Sequence, residues 1–219
     1  MLSFLPDLPA EGPLKVLCLG AHCDDIEIGA GGALLEWMGR ERPLELHWAV
    51  FTSDEVRARE ARNSAEGYFA GAGCSGGSVE IHDLPPSFLP AHWTDLKGRF
   101  FELRSRFEPH LVLTHRRADR HQDHNLVGEL TWNTFRNHAI LEYEIAKYEG
   151  DLGQPNVFVP VSEENVARKI QGLRDHFQSQ ADKPWFDENA FRALMRLRGI
   201  ECNSPSGYAE AFHASKLCL

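Results

Sequence analysis

The run LKVLCLG at residues 14–20 is apolar apart from Lys15 and ends in glycine. A strand with one face in water alternates apolar and polar residues, whereas a strand buried on both faces reads as a continuous apolar run. This segment is therefore expected to be an inner strand of a sheet covered on two sides. Residues 28–40 follow with apolar residues at helical spacing, and 44–51 form a second strand-like run. Strands are also predicted at 79–84 and 110–114, with 141–148 and 156–161 as plausible further strands. Helices are predicted from Ser53 or Asp54 as cap to about residue 70, over 93–107, from the end of HRRADRHQDH to about 137, and over 162–178 and 186–198. Ser162 opens a capping-box pattern, Ser-Glu-Glu-Asn. GAGCSGG at 71–77 reads as a turn region and YAEAF at 208–212 as a short semi-apolar tail. Strand order within 139–161 is not legible. Strands alternating with helices indicate an α/β fold: a mostly parallel sheet with helices on both faces. The 219 residues suit one domain, with 1–13, broken by Pro6, Pro9 and Pro13, as an irregular N-terminal extension.

Composition excludes several roles. The net charge of −9 disfavours nucleic-acid binding, which relies on neutralising phosphates. No stretch approaches the roughly 18 apolar residues of a membrane span, so no membrane association is expected. The N-terminus lacks the features of a signal peptide. The 5 cysteines are scattered, with no CxxC pair. That disfavours a disulfide framework and makes the cytoplasm the expected compartment. GAGGAL does not complete GxGxxG, because Leu34 stands where the last glycine belongs, and no Walker A sequence occurs. Gly29, Gly31 and Gly32 are therefore expected to serve a tight loop and close helix–strand packing. Assembly is not fixed by the sequence, and a homo-oligomer is compatible with it.

Two polar clusters follow predicted buried strands: HCDD after the first and HRRADRHQDH after the fourth. Ligands in open α/β sheets bind beyond the carboxyl ends of strands, so the two can converge although about a hundred residues separate them. His22, Asp25 and His124 would supply two imidazoles and a carboxylate, a usual open zinc set. Zinc lowers the pKa of bound water to about 7. Asp24 is then the natural general base. His121 lies one helical turn before His124 and could, as an imidazolium, stabilise an oxyanion or protonate a leaving amine. Asp123 or Asp119 could orient an imidazole. HxDD or HxxH alone is weak, and a solvated surface pair remains the alternative reading.

The run AHCDDIEIGAGG resembles the AHPDDxExGxGG signature of the PIG-L/LmbE family of metal-dependent N-deacetylases. HRRADRHQDHNLV is similar to its second signature, SDEVRAREARNSA to its Arg-x-x-Glu helix through Arg57 and Glu60, and GYAEAF to its C-terminal YAEAF. The matches fall in order across about residues 14–213. The resemblance implies a single LmbE-like, Rossmann-like domain without a dinucleotide. It implies His22, Asp25 and His124 as metal ligands, Asp24 as base, His121 as the stabiliser of the tetrahedral intermediate and Asp123 as its carboxylate neighbour. Arg57 is expected at the substrate or an active-site loop; the alternative is an ion pair with Glu60. The implied cofactor is Zn2+, or another divalent ion such as Fe2+, and the implied substrate a small N-acetylated amino sugar or its conjugate. Two other outcomes stay open: cleavage of a non-acetyl amide such as a thiol-sugar conjugate, and a non-catalytic metal- or sugar-binding module. Retention of Asp24 argues against the latter.

The chain departs from the family at Cys23, where proline is usual. That removes a rigid φ and puts a thiol beside the site. Cys23 could be a bystander, an oxidation site or a soft ligand; bystander is favoured, because the three-ligand set is complete without it. Arg116, Arg117 and Arg120 could contact a substrate phosphate or carboxylate, and surface salt bridges are slightly preferred. The role of His115 is open. For Tyr143 packing is the expected fate.

Overall fold

The computed structural model describes residues 11–216. Residues 1–10 of the expected N-terminal extension, and Cys218, lie outside that range. The first apolar run forms β1 (Leu14–Gly20), hydrogen-bonded on one side to β2 (Leu44–Thr52) and on the other to β4 (Leu111–His115). Its residues alternate between two cores. Val16 and Cys18 pack with residues of α1 (Asp25–Met38) and α2 (Glu55–Phe69), while Leu17 and Leu19 pack with residues of α3 (Trp93–Arg106) and α4 (Gln122–Thr134). Both side-chain rows are apolar because both faces are covered.

The sheet runs β3-β2-β1-β4-β5-β7-β6, with β3 at Cys74–Leu84, β5 at Ala139–Tyr143, β6 at Val157–Pro160 and β7 at Ala209–His213. The pairings from β3 through β5 are parallel; β7 pairs antiparallel with both β5 and β6. This is the α/β, mostly parallel architecture with helices on both faces that the pattern indicates. The remaining helices are α5 (Glu163–His176) and α6 (Glu188–Glu201). Asp54 caps α2 by accepting from Val56 and Arg57 N–H, and Ser162 caps α5 by accepting from Asn165 N–H.

The largest differences from expectation are in β3, β5 and the C-terminal tail. β3 begins at Cys74, inside the glycine-rich run that reads as a turn. A Cβ on Gly77 would come within 2.2 Å of the Phe69 ring, so the glycine there admits a close approach rather than a bend. β5 stops at Tyr143, and Glu144 leaves the ladder to pair with Arg198. The YAEAF tail is β7 itself, inserted between β5 and β6. Its Glu210 accepts from Gly32 and Ala33 N–H at 2.9 and 2.7 Å and from Lys169 Nζ at 2.6 Å, pinning the tail to α1. Pro160 is tolerated because β6 is an edge strand.

Candidate functional site

From β1 the chain crosses to β2 and β3 on one side, then returns to β4 on the other. The strand order thus reverses between β1 and β4, and a crevice opens at their carboxyl ends. The β1–α1 loop and the first residue of α1 bring His22, Cys23, Asp24 and Asp25 there; the end of β4, the loop after it and the first turn of α4 bring His115, Asp119, His121, Asp123 and His124.

Three donor sites converge. His22 Nδ1 lies 3.1 Å from His124 Nε2 and 3.4 Å from Asp25 Oδ2, and His124 Nε2 lies 3.5 Å from Asp25 Oδ1. Three ligands about 2.0–2.1 Å from a tetrahedral ion would be about 3.3–3.4 Å apart; the spacings here are of that order, with Asp25 presenting a different oxygen to each ring. The outer ring nitrogens fix the tautomers. His124 Nδ1 faces Asp119 Oδ2 at 3.1 Å, and His22 Nε2 faces Asp123 Oδ2 at 3.3 Å. Each imidazole donates outward to a carboxylate and turns its other nitrogen inward, as metal-ligating histidines do. Asp123 is itself held by Ser87 and Leu89 N–H at 2.6 and 3.1 Å.

Two nitrogen lone pairs cannot face each other at 3.1 Å; a proton or a cation must lie between them. Burial opposes charge on His22, yet Asp25, Asp123 and Asp24 raise its pKa to about 10. Burial, and then the charge of His115, lower His124 to about 3. One proton shared by the pair satisfies both directions. The surplus carboxylate charge that holds it would equally attract a divalent ion. Asp25 is held well below the usual carboxylate range; burial works against this, and His124, His115 and His22 overrule it. The residues therefore fit a metal, and His22, Asp25 and His124 could hold one.

Asp24 is also buried, with contacts of its own. Its Oδ1 accepts from Arg57 Nη2 at 2.6 Å, while Oδ2 is buried without a partner among the described residues. Burial raises its pKa, Arg57 lowers it and Asp25 raises it, with a net upward shift. Arg57 is thus engaged by the candidate base. Its alternative partner, Glu60, instead accepts from Ser179 N–H and Oγ at 2.8 and 2.6 Å.

His121 is the N-cap of α4: its Nδ1 accepts from Asp123 N–H at 3.2 Å. This leaves Nε2 to carry the proton. Burial and the charge of His22 lower its pKa. Both features favour a neutral Nε2–H donor over the imidazolium, since protonating Nδ1 would break the cap.

Cys23 Sγ lies 3.5 Å from Thr52 O, and burial pushes its thiol well up, which keeps it protonated beneath the loop. Two of the three neighbouring arginines are spoken for. Arg116 donates to Asp151 O, while Arg117 donates to Glu142 and lies 4.3 Å over the Trp132 ring. Arg120 is exposed, and its side chain makes no ion pair among the described residues.

His115 is the residue that sequence reasoning left open. It is fully buried, stacks on His124 with ring centroids 4.0 Å apart, and sets Nε2 3.0 Å from Asp25 Oδ2. Tyr143 Oη lies 3.2 Å from the same nitrogen and donates to Leu19 O at 2.6 Å. The only signal was the place of His115 at the end of an apolar strand, where a histidine is sheltered and near the crevice.

A family model described as PIG-L, GlcNAc-PI de-N-acetylase, matches residues 17–135, more than half of the 219 residues and both polar clusters. The chain belongs to the PIG-L family. Membership in a family named for a de-N-acetylase supports, in general terms, an enzyme of the hydrolase class. Solved structures share the PIG-L fold seen here. The 4-carboxy-2-hydroxymuconate hydratase GalB from Pseudomonas putida KT2440 aligns with a TM-score of 0.74 at 18% identity, covering 94% of this chain and 98% of its own. The N,N'-diacetylchitobiose deacetylase from Pyrococcus horikoshii gives 0.64 at 21% identity, covering 91% and 83%. The teicoplanin deacetylase Orf2 gives 0.69 at 15%, covering 91% and 97%. At such identities the likeness is one of fold. No curated protein sequence matches the chain significantly.

Proposed function

We propose that this PIG-L chain is a metal-dependent N-deacetylase that cleaves the acetamide of an amino sugar or of an amino-sugar conjugate. The observation that carries this reading is the triangle of His22 Nδ1, His124 Nε2 and Asp25 carboxylate beside a second, buried carboxylate, Asp24, with one oxygen unpartnered. A divalent ion held by the triangle, zinc or ferrous iron, would polarise the amide carbonyl and acidify water. Asp24 Oδ2 accepts the proton of the attacking water, while Arg57 fixes its other oxygen. The proton raised onto Asp24 is then available to the amine as it departs. His121 donates its Nε2–H to the oxygen on which charge develops, without needing to be cationic. Asp123 and Asp119 hold the rings of His22 and His124.

The test is acetate release from a panel of N-acetylated sugars by protein loaded with Zn2+ or Fe2+. Acetate and free amine should appear one to one, stop on chelation and return with metal. Amine without acetate would move the reading to a non-acetyl amide. Sugar binding with no turnover by metal-loaded protein would leave a binding module and end the proposal.

A further inference from the structure

The turn after β5 carries buried charge with no part in the steps above. Lys147 Nζ lies 2.8 Å from Asp119 Oδ2 and 2.6 Å from Asp151 Oδ1. The three side chains are only 9%, 5% and 7% exposed. Asp151 reaches the same loop twice more: its Oδ2 accepts from Arg120 N–H at 2.6 Å and its carbonyl from Arg116 Nη1 at 2.8 Å. Asp119 passes the contact inward. Its Oδ1 accepts from His121 N–H at 2.8 Å, and its Oδ2 faces His124 Nδ1 at 3.1 Å.

We infer that Lys147, backed by Asp151, is a positioning residue that locks Asp119 in the rotamer that orients the His124 ring and the backbone of His121. The inference rests on the metal site proposed above. Asp119 Oδ2 has two partners, and only one of them carries a full positive charge. Without Lys147 a buried carboxylate would be left short of a cation, which favours rotation of its side chain towards water. A rotated Asp119 no longer requires the proton of His124 on Nδ1. The Nε2–H tautomer would then become populated and turn a hydrogen, in place of a lone pair, into the site. Outer-shell partners of metal-binding histidines are typically worth about 10–100-fold in metal affinity.

The experiment compares wild type with Lys147→Met, Lys147→Arg, Asp119→Asn and the double variant Lys147→Met/Asp119→Asn. In metal-free protein, the 15N shifts of the His124 imidazole report its tautomer. Wild type should show Nδ1–H, and Lys147→Met a mixture. Zinc competition against a chromophoric chelator should show Lys147→Met weaker by about 10–100-fold. Its Co2+-loaded visible spectrum should be altered, and kcat should fall more than KM rises. Lys147→Arg should recover most of each readout. The double variant should bind zinc no more weakly than Asp119→Asn alone, because the brace acts through Asp119. A wild-type His124 shift in Lys147→Met, or zinc losses that add in the double variant, would overturn the inference. If Lys147→Met fails to fold, Asp151→Asn carries the same readouts. A wild-type protein that binds no metal would instead sink the proposed function, while the His124 shifts would still decide the brace.

Discussion

Asp24 and Asp25 are chain neighbours with opposite electrostatic surroundings. Asp25 faces three imidazoles and is held ionised, whereas Asp24 accepts from Arg57 on one oxygen and has no hydrogen-bond partner among the described residues on the other, and its pKa rises. A carboxylate that is easy to protonate suits a base, and one that is hard to protonate suits a cation. Asp24→Asn should therefore keep its bound metal, while kcat falls by about 10²–10⁴-fold, the usual worth of general acid–base help. Metal content and kcat measured on the same preparation check it. Loss of metal from Asp24→Asn but not from Asp25→Asn would exchange the two roles. The grouping of His22, Asp25 and His124 was legible in the sequence, because both signatures leave buried parallel strands. Which carboxylate serves which ring was not. Asp123 reaches back to His22 and Asp119 to His124, and that choice depends on the rotation of α4 about its His121 cap. The placing of Arg57 on Asp24 depends likewise on how α2 docks, which the Arg-x-x-Glu spacing does not encode.

The elements that hold these side chains meet at unusually close range. A Cβ on Gly29 of α1 would stand 2.3 Å from the ring of Tyr143, which is buried and cannot swing away. Alanine is worth up to about 1 kcal/mol over glycine in a helix interior. Overpacking costs about 1–3 kcal/mol, so strain should win. Gly29→Ala should lower the denaturation midpoint and, by displacing Tyr143 from His115, weaken metal binding. Gly98→Ala, at an exposed position of α3 where an added Cβ would meet no neighbouring side chain or element among the described residues within 4 Å, should be stabilising instead. Equal midpoints for the two variants would contradict this packing. The same contacts show why the elements were only partly readable. The apolar runs of β1, β2 and β4 are dictated by burial on both faces. The first half of β3 looked like a turn because of its glycines, of which Gly77 makes room for Phe69. β7 looked like a tail because its partners, β5 and β6, are short and its pinning residue, Glu210, is a buried charge whose partner Lys169 lies in α5.

At the scale of the whole molecule, the candidate ligands tie together two loops separated by most of the matched domain. His22 and Asp25 sit at the end of β1 and the start of α1, and His124 in the first turn of α4. An ion bound to all three would cross-link the halves of the sheet on either side of its switch point, a state the unfolded chain cannot reproduce. Binding to the native state alone stabilises by about 2.7 kcal/mol when free ligand is about 100 times Kd. For a chain of this size each kcal/mol raises Tm by about 2–4 °C, so saturating zinc should raise it by roughly 5–10 °C, and chelation should reverse the rise. His22→Ala and His124→Ala each remove one of the three ligands. Neither variant should show more than a small part of the shift, although both should still unfold cooperatively. Differential scanning calorimetry of the three proteins with and without zinc makes the comparison. The chain carries a net charge of −9, so weak zinc binding to surface acids is the competing source of a Tm change. Surface binding would survive both substitutions and fade as ionic strength rises, since exposed charges are screened within about 10 Å at 0.1 M salt. A zinc-induced shift that persists at full size in His22→Ala and His124→Ala would place the ion outside this crevice.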